Sequence, residues 1–143
     1  ILNLMRMRVA IPAIQQGFLP DTISTDLHKS SALIPNATML NTMSKCLNIG
    51  LSLQDVILRS TVNPAKVIRR PELGTLSVGA VADFAVLQLL KGNFGFVDSG
   101  HARQQGHQKL QCAMTIRNGE IAWDLNGLSW PDWETAGEYT VIE

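Results

Sequence analysis

Asp26 is the residue whose type and setting most invite chemistry. It closes the run Pro20-Asp21-Thr22-Ile23-Ser24-Thr25, and His28 follows two positions later. Thr22 to Thr25 are β-branched or small, and Pro20-Asp21 is turn chemistry, so a short buried strand over 22–25 is predicted. Such a strand ends on a carboxylate, and the carboxyl end of a strand is where an α/β barrel carries catalytic groups. One carboxylate neither holds a metal nor runs a hydrolysis unaided. Taken alone, Asp26 also fits a bland role as a helix cap or a solvated aspartate. His28 fits two roles as well: hydrogen-bonding a substrate or orienting its loop, and sitting half-exposed in that loop without chemistry.

The other reactive side chains read as structural. Lys45 follows Met43-Ser44 in a helical pattern, where a solvated lysine is expected rather than a carboxylated ligand. His101 and His107 lie in a polar stretch and are expected at the surface. Asp83 falls between strand-like runs and reads as a turn or hydrogen-bonding residue. Cys46 and Cys112 sit among apolar residues without CxxC spacing, which fits structural thiols and a reducing compartment. Trp123, Trp130 and Trp133 have no basic residues interleaved and read as packing residues rather than nucleic-acid stacking platforms.

Several elements must position these groups. A helix is predicted over Ala10 to Gln16, with Pro12 complicating it and Gly17 as its stop. After the strand, a loop is expected from Leu27 to about Asn36. Helical patterns then run from Ala37 to Arg70. Met39, Leu40, Met43, Cys46 and Leu47 form one apolar stripe that Gly50 closes. Ser52-Leu53-Gln54-Asp55 resembles a capping box, followed by a face of Leu53, Val56, Ile57 and Ser60. Asn63-Pro64 reads as the N-cap and first position of a third helix, ending near Arg69-Arg70-Pro71.

Past Pro71 the period changes. Gly74 to Gly79 reads as a strand entering a turn, and Ala82 to Leu87 as a strand leaving it. Residues 110–117 alternate, Asn118-Gly119 signals a hairpin, and Glu120 to Trp123 returns as its partner. The glycine- and glutamine-rich stretch from Gly92 to Gln108 is expected as a loop, and Leu128 to Trp133 as an aromatic tail packing on the body.

Composition narrows the classes. Twelve basic residues balance twelve acidic ones and no basic block appears, so neither nucleic acid nor an anionic membrane surface is expected as a partner. No apolar run approaches a membrane span. Ile1 to Arg6 reads neither as a signal peptide nor as a helix start, so the chain is expected to begin inside a longer protein.

The segments Ile23-Ser24-Thr25-Asp26-Leu27-His28, Met43-Ser44-Lys45, Thr61-Val62-Asn63-Pro64-Ala65-Lys66, Gly74-Thr75-Leu76-Ser77-Val78-Gly79-Ala80-Val81-Ala82-Asp83-Phe84 and Arg117-Asn118-Gly119-Glu120 carry a resemblance. Together they resemble the carboxy-terminal part of the amidohydrolase superfamily. The Asn-Pro-Ala and Gly-Thr-Leu…Ala-Asp segments are its most specific marks. Ser-Thr-Asp-Leu-His and Asp124-Leu125-Asn126-Gly127-Leu128 point to its deacetylase-like, dihydroorotase-related branch.

The resemblance implies an α/β fold: the last strand and helices of a (β/α)8 TIM barrel over residues 1–71, then strands of a small β-sandwich domain and a tail over 72–143. It implies that Asp26 closes the eighth barrel strand, approaches a divalent metal (zinc, one or two ions) and handles the proton of the metal-bound water. His28 would then face the substrate. A carboxylate beside a cation stays ionised, and hydrolysis needs such a base to take the water's proton and return it to the leaving amine. The family's other ligands are an amino-terminal His-x-His, a carboxylated lysine and two further histidines. This chain has only His28, His101 and His107, with no His-x-His pair.

A cytoplasmic hydrolase of small N-acyl, amide or ester substrates is the expectation. Its partners would be the missing amino-terminal part of the barrel and, in a homo-oligomer, further copies of itself. The alternative is a non-catalytic barrel remnant or a structural subunit. As a fragment of a barrel, residues 1–143 expressed alone are expected to be inactive and to expose apolar faces and strand edges. Size-exclusion chromatography should find them aggregated or oligomeric, and a sharp monomer peak with cooperative unfolding would contradict this.

Overall fold

The computed structural model of the protein describes residues 6–29 and 37–138. Four helices come first: α1 (Met7–Gln15), α2 (Met39–Asn48), α3 (Leu53–Ser60) and α4 (Val62–Val67). Three strands follow, β1 (Phe84–Val97), β2 (Arg103–Arg117) and β3 (Glu120–Asp124), in the sheet order β1-β2-β3. Two compact units are formed, one by residues 1–80 with 88–111 and one by 81–87 with 112–143. They are cut differently from the composition shift at Pro71, because residues 88–111 join the helices.

In the helical unit, α1 begins at Met7, three residues before its expected start, and tolerates Pro12 inside it. Its first N–H is satisfied from far along the chain, by the carboxylate of Asp98 at 2.9 Å from the Met7 nitrogen. Thr38 caps α2 by accepting the Asn41 N–H at 3.2 Å. The expected stripe is present, with Met43, Cys46 and Leu47 buried. Lys45 is buried too, at 8% exposure, which corrects its expected solvation: α2 is covered on several faces over residues 42–47.

Ser52 caps α3, its hydroxyl accepting the Asp55 N–H at 3.0 Å and donating to the Asp55 carboxylate at 2.6 Å. Val56 is fully buried beneath α3, but Leu53 is exposed, because the first turn of the helix stands clear of the core. Asn63 does not cap α4. Thr61 is the N-cap, and Asn63 and Pro64 lie within the first turn.

Three runs depart from expectation. Thr22 to Thr25 is irregular rather than a strand. Among the described residues no strand lies beside it, and β-branched residues form a strand only where a neighbour supplies the ladder. Gly74 to Gly79 is irregular and ends in a turn at Val78 and Gly79; both glycines adopt left-handed backbone (φ +69° and +92°), which breaks any alternation. The stretch 92–108 is mostly strand, with a short connection at 98–102 whose Gly100 and Ala102 N–H groups donate to the Asp98 carboxylate at 2.8 Å each.

Through that glycine-rich stretch β1 and β2 pair as neighbouring strands, and α2 adds bonds to β2. The Asn48 side chain donates to the Gln108 carbonyl at 2.7 Å and accepts the His107 N–H at 2.8 Å. Ser44 accepts the Leu110 N–H at 2.9 Å. Two helix side chains thus serve β2 as a neighbouring strand would. The approach leaves no room at Gly106, where a Cβ would lie 2.6 Å from the Phe96 ring and 2.7 Å from the Asn48 side chain.

In the second unit, β2 and β3 pair antiparallel, with Arg117 opposite Glu120 and a register shift between Thr115 and Ile116. Asn118 and Gly119 both take positive φ, as a two-residue hairpin turn requires. Asp83 fills its expected hydrogen-bonding role, accepting the Asn118 N–H at 2.6 Å. The tryptophans do not pack as expected. Trp123, Trp130 and Trp133 are all more than half exposed, since β3 ends the sheet and no further strand of it lies beyond.

Two outcomes follow from these contacts. Gly106→Ala should destabilise the protein by about 1–3 kcal/mol through overpacking, read as a lowered denaturant midpoint; an unchanged midpoint would contradict the close approach. Asp98 is buried, and its bond from Met7 foremost, then those from Ala102 and Gly100 with the charge of Lys45, holds its carboxyl below the usual range against the opposing effect of burial. A depressed carboxyl contributes stability above its unfolded pKa and loses it as pH falls through the folded value. The Tm deficit of Asp98→Asn should therefore be largest near neutrality and shrink below about pH 4; a deficit constant with pH would count against these bonds.

Candidate functional site

The segment that carries Asp26 is held by its backbone. Ile23 is the most deeply set residue of the run, at 1% exposure, and its N–H donates to the Arg59 carbonyl at 2.8 Å. The Arg59 guanidinium donates to the Pro20 carbonyl, and the Asn63 side-chain amide donates to the Asp21 carbonyl at 2.8 Å. Arg59 is itself steadied by Asp55, one helical turn earlier, at 3.5 Å. Residues 20, 21 and 23 are thus each bonded to the stretch around the α3–α4 junction at Thr61.

Three residues beyond the last of these bonds the chain reaches Asp26. Its φ is +47°, in the left-handed region that aspartate and asparagine tolerate better than most residues. The residue is exposed, as is His28. An anchored backbone followed by an exposed residue leaves Asp26 reachable from solvent. Sequence reasoning missed Arg59 altogether and took Asn63 for a helix cap. Asn63 precedes a proline, a pattern that also signals a cap, so no local signal separated the two roles.

The other sequence candidates do not join this segment in a cluster. Among the described residues, no three His, Cys, Asp or Glu side chains converge as a metal site requires. The residues at hand therefore do not by themselves fit a divalent cation: Asp26 offers one ligand. His101 and His107 are exposed, as expected. Burial lowers the pKa of Lys45, with the charges of Asp98 and Cys46 opposing. Burial pushes the Cys46 thiol up to about 11, so it stays protonated at neutral pH and is neither nucleophile nor ligand there. Cys112 is partly buried, its thiol 3.4 Å from the Met114 carbonyl and 3.3 Å from the Thr115 hydroxyl. The two cysteines are unlinked, in keeping with structural thiols.

The second unit carries a depression of about 410 Å³ lined by Ile121, Ala122, Trp123, Asp124, Ser129 and Trp130. Asp124 is committed within it. Its carboxylate accepts the Ser129 hydroxyl at 2.7 Å and the Ser129 N–H at 2.8 Å, bonds that hold its pKa below the usual range. It is a structural acid that shapes the turn after β3. Among the described residues, no helix is long and apolar enough to cross a membrane.

Known proteins give this geometry a context. Residues 6–122 match the sequence profile of the amidohydrolase family. A deacetylase of Brucella anthropi is 41% identical over 92 residues, which are 64% of this chain and 23% of that protein. A deacetylase of Enterococcus faecalis is 25% identical over 114 residues, 79% of this chain and 31% of that one. Among solved structures, an adenine deaminase superposes with a TM-score of 0.76 at 25% identity, covering 83% of this chain and 32% of that chain. A dihydroorotase superposes with a TM-score of 0.74 at 34% identity, covering 81% and 31%. The chain spans 23% of the length of the first of these relatives and about a third of the two solved structures. The matched stretch takes in the anchored segment, the α3–α4 junction and the long strands, and on it the chain belongs to the amidohydrolase family.

Proposed function

We propose that this chain is the carboxy-terminal portion of a hydrolase that cleaves an N-acyl, amide or ester bond of a small molecule, with Asp26 as the acid–base group. The observation that carries the reading is the exposed Asp26 carboxylate at the end of an anchored segment, inside the stretch that matches the family. In it, residues 1–71 belong to a (β/α)8 barrel and 72–143 to a small β-sandwich domain with its tail. Thr22 to Thr25 then becomes a strand when neighbours outside this chain pair with it. The names of two relatives, both deacetylases, favour an acetyl group as the acyl portion removed.

Asp26 has the properties the role demands. A carboxylate that takes a proton from water and returns it to a leaving amine must be reached by substrate and held on fixed backbone. Asp26 is exposed and its segment is tied down by three hydrogen bonds. A divalent cation, zinc in one or two copies on the family's pattern, would polarise the bond to be broken, and its remaining ligands must come from residues beyond those described. His28, two positions on and exposed, is placed as a substrate contact in this reading. A cytoplasmic location and assembly into a homo-oligomer belong to the same proposal.

The test is hydrolysis of a panel of N-acetyl amines and simple amides by the protein that carries this chain, with metal content measured alongside. Asp26→Asn should lower kcat by roughly a hundredfold or more, the scale of a lost acid–base group, with zinc still bound. Turnover equal to the unaltered protein would remove Asp26 from the chemistry. A protein with neither metal nor turnover would favour the non-catalytic remnant instead.

A further inference from the structure

We infer that Asn63 and Arg59 are positioning residues for Asp26, setting where its carboxylate stands through the backbone of residues 20–23. This rests on the reading of Asp26 as the acid–base group. Three residues of extended chain reach at most about 10 Å, so a shift of the anchor at Ile23 passes directly to the position of Asp26. The anchor is made entirely from the α3–α4 junction: the Arg59 carbonyl takes the Ile23 N–H, the Arg59 guanidinium holds the Pro20 carbonyl, and the Asn63 amide holds the Asp21 carbonyl.

The junction is itself fixed from outside the two helices. Gly74 lies against it so closely that a Cβ there would stand 2.7 Å from both the carbonyl carbon and oxygen of Thr61. The Thr61 hydroxyl donates to the Ile57 carbonyl at 2.8 Å, closing the end of α3. Gly74, Thr61, Asn63 and Asp21 thus form one mechanical series leading to Asp26.

The Asn63–Asp21 bond joins exposed groups, which water would satisfy if the bond were cut. Its net contribution to stability is therefore small. A bond that adds little to stability yet fixes the backbone of a catalytic segment acts on the chemistry through placement. The same exposure gives the variants at this position a chance to fold.

The experiment uses the protein that carries this chain and the N-acyl substrate that it turns over best, with Asn63→Ala, Asn63→Asp, Asn63→Gln and Asp26→Asn compared. Asn63→Asp keeps the shape but removes the donor, and Asn63→Gln keeps the donor. The expected result is a loss in kcat of roughly ten- to hundredfold for the alanine and aspartate variants. KM should stay within about twofold and Tm within a few degrees, with most of the rate recovered in Asn63→Gln. Amide hydrogen exchange of residues 21–26 should accelerate in the alanine variant, while that of α2 is unchanged.

Unchanged kcat in Asn63→Ala, beside an inactive Asp26→Asn, overturns the inference and leaves the reading of Asp26 standing. Equal losses of kcat and Tm in all three Asn63 variants also overturn it, as the mark of a purely structural bond. Full activity of Asp26→Asn, or no hydrolysis by the unaltered protein, removes the reading of Asp26 and the positioning role with it. In that case the exchange data still report whether the tether exists.

Discussion

The side chain of Asn48 uses all of its hydrogen-bonding capacity at one place, and the helical unit is organised around it. Its amide nitrogen donates to the carbonyls of Ser44 and Gln108, each at 2.7 Å. Its oxygen accepts the N–H groups of His107 and Gln108 at 2.8 and 3.2 Å. The two carbonyls and two N–H groups leave only one orientation of the amide that satisfies all four. Aspartate would set a carboxylate against two carbonyls, and leucine would strand the Gln108 carbonyl and the His107 and Gln108 N–H groups. The backbone carbonyl of Asn48 is engaged as well, by the Gln104 side chain at 2.9 Å. A helix end and a strand are therefore joined as two strands are, through backbone groups that would otherwise need water.

That constraint explains what could and could not be read along the chain. The helices were legible because much of their signal is local: Met43, Cys46 and Leu47 fall on one face and Ser52 sits where a cap belongs, although Asn63 does not cap its helix. The Asn118-Gly119 hairpin was legible for the same reason. The stretch 92–108 was not, because its glycines lower strand propensity, while β1 and β2 pair there across the short connection at 98–102 and α2, some sixty residues away, adds bonds to β2. Glycine is required at 106 by the nearness of α2, and a local count of glycines reads that requirement as flexibility. The opposite error occurred at Thr22 to Thr25, where residues suited to a strand have no ladder partner among the described residues.

In the proposed site, Asp26 could be singled out only through the family resemblance, since its local sequence fits a solvated aspartate as well and the run before it is irregular. Arg59 and Asn63 could not, because the bonds they make depend on how two short helices meet at Thr61, whose backbone (φ −128°, ψ −81°) belongs to neither. The segments by which the chain resembles its family look unrelated in sequence: Val62 to Lys66 is helical, Gly74 to Gly79 is irregular up to a turn at its end, and Ile23 to His28 is irregular. In space Gly74 lies against Thr61, and the run ahead of Asp26 is bonded to Arg59 and Asn63. What links them is backbone geometry, and backbone geometry leaves only faint marks on residue type.

One consequence of the left-handed backbone at residue 26 concerns descent. The conformation that suits aspartate there suits asparagine almost as well, and a single-nucleotide change in the codon interconverts them. On the proposed reading of Asp26, a lineage could therefore lose its reaction at this position with little strain to oppose the loss, and keep a protein that folds, persists and is free to take up other work. Silent members of such a lineage would differ from their active cousins by one oxygen exchanged for one nitrogen.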